Sequence, residues 1–128
     1  MRDAGGCFAC SQTNPIGLRL RFAAEGDSVR AEFTAGPHYQ GYAGIIHGGI
    51  IAAALDDAMA NLFHMRGRET VTAKLVIRYR REAPIGQRLI VTASVVEERG
   101  RVYAAEAVLA LPDGTPLAEA RGTFFRAE

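Results

Sequence analysis

Hydrophobic and polar residues alternate near the start of the chain and over its second half, with one long apolar run between. Strict alternation is typical of strands that bury one face. It appears first in LRLRF at 18–22 and in SVRAEF at 28–33, which a turn at 25–27 separates. The two runs predict a β-hairpin, and the glycine-rich stretch 34–46 predicts a loop.

The central apolar run predicts a long helix from about His47 to Phe63. It is rich in Ala, Leu, Ile and Met, lacks proline, and has no glycine after Gly49. About seventeen residues give a helix roughly 25 Å long. Its apolar residues surround the axis, which predicts burial on most sides. Gly67 is predicted to cap the C-terminal end.

Four longer strand-like runs follow the helix, and short turns separate them. They span 70–81, 87–99, 101–112 and 116–127. Simple alternation in the first run places Thr72 on the face opposite Val71 and Ala73. This order predicts an α+β fold in which an antiparallel sheet of about six strands wraps around one long central helix. Open sheet edges and an uncovered helix face favour a homodimer.

Length and charge narrow the class of protein. The 128 residues suggest one domain over 17–128, preceded by an irregular segment at 1–16. The net charge is +1, with no long run of one sign, so neither nucleic-acid nor membrane-surface binding is expected. No apolar stretch reaches transmembrane length without a charge, and the N-terminus lacks a signal-peptide core. The predicted location is the cytoplasm.

Cys7 and Cys10 form a single C-x-x-C motif ahead of the first periodic segment. The favoured interpretation is a pair of reduced thiols in a loop. A metal site completed by a second subunit and a redox pair are the alternatives, since one pair supplies two of the four ligands that zinc needs. No His, Asp or Glu spacing resembles a metal site.

Two adjacent aspartates interrupt the apolar helix. Aspartate is a poor residue for a helix interior, and a buried unpaired carboxylate is costly. Asp56 shares its helical face with apolar residues, which favours a functional role. The alternative is a structural carboxylate that is bonded to a strand hydroxyl or to a partner chain. Asp57 lies near Asn61 and His64, which favours a more solvated or interfacial position.

The beginning of the helix offers a complementary feature. Gly48 and Gly49 lie in the first turn, where backbone N–H groups lack intrahelical acceptors and suit an oxygen with developing negative charge. Asp56 lies about 12 Å further along the axis, too far to reach the same carbonyl within one helix. The geometry therefore predicts an active site shared between two antiparallel helices of a dimer. His47 is a candidate for proton transfer, although capping the helix is the stronger interpretation.

These segments resemble a known family. HGGIIAAALDDAMA after YQGYAGII, followed by TAKLVIRYRREAPIG, resembles the hotdog-fold acyl-CoA thioesterases, in the branch of phenylacetyl-CoA-type enzymes. The resemblance covers roughly residues 14–126, and CFACSQTNPIGLRL resembles the N-terminus of one subgroup. It implies a sheet wrapped around one helix, in dimers that pair into homotetramers. It also implies hydrolysis of an acyl-CoA thioester without metal or cofactor.

The resemblance also implies roles for particular residues. Asp56 matches the catalytic acid, as nucleophile or general base, and Gly48 or Gly49 matches the oxyanion-hole donor. Thr72 matches a hydroxyl that positions water or the carboxylate, and Gln40 is the candidate for polarising the thioester carbonyl. The expected acyl contacts are Ile50, Ala53, Met59, Phe63 and Tyr39. The candidates for the phosphates of coenzyme A are Arg78, Arg80 and Arg81, with Arg66 and Arg68.

Two other functions compete with hydrolysis. A non-catalytic acyl-CoA binding or sensor module needs the pocket but not Asp56. A hotdog dehydratase or hydratase uses a histidine–acid pair, which the H-G-G helix start fits less well.

Overall fold

A computed structural model describes residues 5–127. One long helix and six strands form its regular structure: β1 (Ala23–Glu25), β2 (Ser28–Phe33), α1 (Gly48–His64), β3 (Thr70–Tyr79), β4 (Leu89–Arg99), β5 (Val102–Ala110) and β6 (Pro116–Arg126). All pairings are antiparallel, and the order across the sheet is β1-β2-β4-β5-β6-β3. Helix α1 packs against β2 to β6. The predicted α+β fold is confirmed.

The two ends of α1 lie where the capping residues in the sequence predict them. At the start, His47 is the N-cap residue, and its Nδ1 accepts the Gly49 N–H at 2.9 Å. At the end, Gly67 adopts a φ of 76°. Its N–H donates to the His64 carbonyl, while that of Arg68 donates to the Phe63 carbonyl. These two bonds form the Schellman arrangement that glycine favours, as predicted.

One face of α1 is buried, which corrects the expectation of burial on most sides. The buried residues recur at helical spacing: Ile51, Ala54, Leu55, Ala58, Met59, Leu62 and Phe63. Between them lie residues that stay partly exposed, including Ile50, Ala53, Asp56 and Asp57. A six-stranded sheet can cover only one side of a helix, so the small apolar residues of the other side are left uncovered.

A β-bulge in β3 changes which way Thr72 points. Thr72 pairs with Phe124, whereas Lys74 pairs with the next residue, Thr123, so that Ala73 is the extra residue. Phe124 is fully buried, and paired residues of antiparallel strands share a face. Thr72 therefore faces the helix, opposite to Val71 as alternation predicts. The bulge also places Thr72 on the same face as Leu75 and Ile77, which simple alternation did not predict.

The first predicted strand is also corrected. Residues 18–22 are irregular, and β1 lies just after them at Ala23–Glu25. The N–H groups of Leu18 and Leu20 donate to the carbonyls of Phe8 and Ala9 instead of to β2. Arg19, between them, has a φ of 55°, which a regular strand does not allow. The burial alternation nevertheless holds, because Leu20 is buried and Arg19 and Arg21 are exposed.

No helix within residues 5–127 is long and apolar enough to span a bilayer. The cytoplasmic location stays a prediction. The same is true of the domain boundary after residue 16, and the first four residues of that segment lie outside the described part of the chain.

Candidate active site

Asp56 and Thr72 form one half of the candidate site. The Thr72 hydroxyl donates to Asp56 Oδ1 at 2.7 Å, from β3 to the middle of α1. This bond orients the carboxylate and leaves Oδ2 without a hydrogen-bond donor among the described residues. Asp56 is partly exposed on the helix face that the sheet leaves open. The arrangement therefore leaves one carboxylate oxygen free on a partly exposed side chain.

Gly48 forms the other half, at the N-terminus of α1. The two glycines differ, because His47 Nδ1 already accepts the Gly49 N–H. The Gly48 N–H has no acceptor within residues 5–127. It lies at the positive end of the helix dipole, where a negatively charged oxygen is stabilised. His47 uses Nδ1 as an acceptor, so its neutral ring carries the proton on Nε2.

Tyr79 supports the Gly48 peptide and was missed by sequence reasoning. Its hydroxyl donates to the Gly48 carbonyl at 2.7 Å. Tyr79 is at the end of β3 and is 53% exposed. Its side chain lies on the same face as Thr72, since its pairing partner Ala118 is buried like Phe124. Strand alternation placed Tyr79 on one face of β3 but gave no signal of a partner in the helix.

Gln40 lies beside the helix start. It forms an isolated antiparallel bridge with Ile46, and the His47 N–H donates to the Tyr39 carbonyl. Gln40 Oε1 accepts the Gly44 N–H at 3.0 Å. That bond fixes the amide so that its NH₂ group is available to donate. Gln40, His47 and Gly48 are thus brought to one end of α1.

A cleft of about 720 Å³ opens at this end of the helix. Its lining includes His47 and Gly48 together with apolar side chains of Tyr42, Ile45 and Ile51. Tyr42 is 86% exposed and had no assigned role from sequence. The cleft therefore combines the free N–H of Gly48 with an apolar wall.

The candidate arginines divide into three groups. Arg80 and Arg81 line the cleft beside Gly48, although Arg80 also pairs with Glu119 at 3.0 Å. Arg78 instead lines a depression formed by outward residues of β4, β5 and β6. Arg66 and Arg68 form ion pairs with Glu98 at 3.7 and 3.2 Å. Only Arg80 and Arg81, of these five, line the cleft beside Gly48.

Three of the five expected acyl contacts have other roles. Met59 and Phe63 are fully buried, and Phe63 stacks on Tyr103 with ring centroids 5.0 Å apart. Tyr39 donates its hydroxyl to the Ile16 and Gly17 carbonyls, at 2.7 and 3.0 Å. Met59 and Phe63 thus form part of the core, and Tyr39 anchors the N-terminal segment, while acyl contact by these three residues stays a prediction. Ile50 and Ala53 remain partly exposed.

Asp57 differs from the expectation for it, because the N-terminal segment covers it. The Cys7 thiol donates to Asp57 Oδ1 at 3.6 Å, and Asn61 Nδ2 donates to Oδ2 at 3.1 Å. Burial raises the pKa of Asp57 above its usual range, and the thiol hydrogen bonds only partly oppose this. Burial, with Cys7 and Asp57 adding to it, raises the pKa of Cys10 to about 12.

Comparison with known proteins identifies a family. The family model described as the Thioesterase superfamily matches residues 43–115, more than half of the chain. The bovine acyl-coenzyme A thioesterase THEM4 is 28% identical over 95 residues, covering 73% of this chain and 39% of the relative. The chain therefore spans well under half of that relative's length.

Solved structures share the fold. A crystal structure of a thioesterase superfamily protein has a TM-score of 0.84 and 28% identity, covering 89% of this chain and 60% of that one. A hypothetical thioesterase from Streptococcus pneumoniae TIGR4, crystallised with coenzyme A, has a TM-score of 0.79 and 16% identity. That similarity covers 84% of this chain and 88% of the other.

Proposed function

Because the chain belongs to the thioesterase superfamily, we propose that it hydrolyses acyl-CoA thioesters, with Asp56 as the reacting carboxylate. The hydrogen bond from Thr72 to Asp56 is the observation that carries this proposal. It fixes one carboxylate oxygen and leaves the other free for chemistry. A non-catalytic binding module needs the pocket but not a carboxylate oriented in this way.

The relatives support both acyl-CoA as the substrate class and the assignment of Asp56 and Thr72 to the site. THEM4 is named an acyl-coenzyme A thioesterase, and the Streptococcus pneumoniae structure contains coenzyme A. Two further structures of that protein carry an aspartate-to-alanine and a threonine-to-alanine substitution at positions 16 residues apart. Asp56 and Thr72 are also 16 residues apart. The phenylacetyl-CoA branch of the family stays a prediction.

The proposed reaction needs an oxygen nucleophile and an oxyanion donor. Asp56 either attacks the thioester carbon directly or removes a proton from an attacking water. The new C–O bond forms as the carbonyl electrons move onto oxygen, where the Gly48 N–H stabilises the charge. Collapse of this intermediate breaks the C–S bond, and the thiolate of coenzyme A leaves. If water attacked, the thiolate takes up the proton that Asp56 removed and the free acid is formed at once. If Asp56 attacked, the acyl group is left on Asp56 as a mixed anhydride, and a water then hydrolyses it, which releases the acid, restores the carboxylate and supplies the proton for the thiolate. Gln40 donates its amide N–H to the same carbonyl.

Gly48 and Asp56 act together only if two chains contribute to the site. They are about 12 Å apart along one helix, further than one carbonyl group can bridge. Strand β3 carries both halves, because Thr72 near its start contacts Asp56 and Tyr79 at its end contacts Gly48. In the described sheet β3 is an edge strand. Antiparallel pairing with the β3 of a second copy, centred near Val76, brings Thr72 of one chain beside Tyr79 of the other.

We place the substrate in the cleft beside Gly48. Tyr42, Ile45 and Ile51 supply apolar contacts, and Arg80 and Arg81 supply positive charge for the phosphates of coenzyme A. Ile50 and Ala53 on the open helix face extend the apolar surface towards Asp56.

Steady-state hydrolysis of an acyl-CoA panel tests the proposal. The panel includes aromatic, short-chain and medium-chain thioesters, and release of coenzyme A is measured for the wild type, Asp56→Asn and Asp27→Asn. Asp27 lies in the exposed turn between β1 and β2, so its variant controls for loss of one carboxylate. We expect turnover by the wild type and Asp27→Asn and a large loss in Asp56→Asn.

Other outcomes point to the competing functions. Saturable binding of acyl-CoA without turnover of any thioester favours a sensor module. Hydration of an enoyl-CoA without release of coenzyme A favours a hydratase. If Asp56→Asn hydrolyses acyl-CoA as fast as the wild type, Asp56 is not the reacting carboxylate, although the proposed activity stands.

A further inference from the structure

We propose that Cys7, Cys10 and Asp57 form a zinc site that fastens the N-terminal segment to α1. The two thiol sulfurs and a carboxylate oxygen all lie within 4.8 Å of one another. The third ligand comes from the helix, 47 residues from the nearer cysteine, so the spacing of the C-x-x-C motif gave no signal of it. This inference is independent of the proposed hydrolysis.

The separation of the donor atoms suits a metal ion with tetrahedral coordination. With Zn–S near 2.3 Å and Zn–O near 2.0 Å, a sulfur and an oxygen on one tetrahedron lie about 3.5 Å apart. Cys7 Sγ and Asp57 Oδ1 are 3.6 Å apart. Zinc can therefore bind between them with little movement of either side chain.

The backbone around the cysteines has a turn that suits a bound thiolate. The Cys10 N–H donates to Cys7 Sγ at 3.5 Å, and the Ser11 N–H donates to the Cys7 carbonyl at 3.0 Å. An N–H that points at sulfur stabilises the negative charge that the sulfur carries when it binds a metal. Neither cysteine is in a disulfide.

A second group orients the carboxylate. Asn61 Nδ2 donates to Asp57 Oδ2 at 3.1 Å, which directs Oδ1 towards Cys7. Metal-binding carboxylates are commonly held in this way by an outer hydrogen bond. The three donors line a groove of about 540 Å³ that also reaches His64, so an ion and a water in the fourth position have access.

The charge of the site favours a soft divalent cation. On binding, the two thiols release their protons, and a dication offsets most of the three negative charges that two thiolates and one carboxylate then carry. Thiolate donors select zinc over magnesium or calcium. The ion would link residues 7–10 to the middle of α1, one residue from Asp56, and so hold the segment against the helix.

Zinc binding to the whole chain tests the inference. Reduced, metal-free protein is titrated with Zn²⁺ against a chromophoric chelator, and Co²⁺ is added separately to detect thiolate-to-metal absorption. We expect one Zn²⁺ per chain and a tetrahedral cobalt–thiolate spectrum. Cys7→Ser, Cys10→Ser and Asp57→Asn should each lower the affinity at least about 100-fold, and Asn61→Leu about 10- to 100-fold.

Asp56→Asn is the matched control, because it removes the neighbouring carboxylate of the same helix. It should bind zinc like the wild type while losing hydrolysis, so failure of the zinc site and failure of the proposed function are separable. Wild-type zinc affinity in Asp57→Asn overturns the inference. The absence of zinc binding by the reduced wild-type protein also overturns it. So does mass spectrometry that finds Cys7 and Cys10 joined in a disulfide even after treatment with a reductant.

Discussion

The Thr72 hydroxyl lies 2.7 Å from Asp56 Oδ1 and ties the start of β3 to the middle of α1. The bulge at Ala73 makes this contact possible, because it turns Thr72 onto the face that points at the helix. A local irregularity of one strand thus orients the carboxylate that we assign to catalysis. Bulges commonly redirect a side chain beside an active site in this way.

Removal of the Thr72 hydroxyl should slow hydrolysis with little effect on folding. A hydrogen bond to a charged group contributes about 1.5–3 kcal/mol, which corresponds to roughly 10- to 100-fold in kcat for Thr72→Val. Thr72→Ser keeps the hydroxyl and should stay within a few-fold of the wild type. Separate measurement of kcat and KM checks this prediction. Equal rates for the valine and serine variants would show that the hydroxyl does not position Asp56.

Gly48→Pro should remove the oxyanion donor and leave the helix in place. Proline is tolerated in the first turn of a helix, and His47 before it has the extended backbone that a following proline requires, with φ −58° and ψ 135°. Loss of one such donor costs about 10²–10³-fold in kcat.

Alanine at the same position is the matched control for the proline. Gly48→Ala retains the N–H, and the added Cβ lies 3.5 Å from the Tyr79 hydroxyl oxygen, an ordinary contact. Comparable kcat values for Gly48→Pro and Gly48→Ala, with circular dichroism showing intact helix in both, would contradict a role for this N–H.

Tyr79 should act through the Gly48 peptide. Tyr79→Phe keeps the ring and removes the donor to the Gly48 carbonyl. A neutral hydrogen bond contributes about 1 kcal/mol, so we expect kcat to fall about fivefold with KM nearly unchanged. A rise in KM at constant kcat would instead indicate that Tyr79 contacts the bound substrate.

Phe63 should matter for stability and not for substrate binding. It is fully buried against Tyr103 and Phe124. Phe63→Leu is expected to lower the free energy of unfolding by about 1–3 kcal/mol, as measured by urea denaturation, and to leave KM for acyl-CoA unchanged. A several-fold change in KM for long acyl chains would return Phe63 to the acyl pocket.

The fold followed from the sequence wherever hydrophobic period and local signals agreed. The helix between His47 and His64 has an apolar run, a capping residue before it and Gly67 after it, and all three act locally. The runs of β3 to β6 were predicted to within two residues at each end, because alternation is strong in them. The LRLRF run alternates as well, but its backbone forms hydrogen bonds with Phe8 and Ala9. The alternation of hydrophobic and polar residues does not indicate this backbone pairing.

The site was less predictable, because its contacts are not local. Asp56 stood out as a charge in an apolar run, and the family resemblance implied that Thr72 positions water or the carboxylate. Strand alternation by itself did not show that Thr72 would face the helix, because the bulge at Ala73 has no signature in it. The Asp57 environment was misjudged for a related reason: its cover, the Cys7 segment, lies 50 residues away. Contacts between residues so far apart in the sequence depend on the tertiary fold, which local sequence patterns do not specify.

Mixed dimers test the central claim most directly, that Gly48 of one chain and Asp56 of another act on one carbonyl. Gly48→Pro and Asp56→Asn chains, each with its own affinity tag, are co-expressed, and the heterodimer is purified through both tags. One of its two sites then combines an intact Gly48 with an intact Asp56, so we predict about half of the wild-type rate per dimer. A heterodimer no more active than the two inactive homodimers would contradict the shared site.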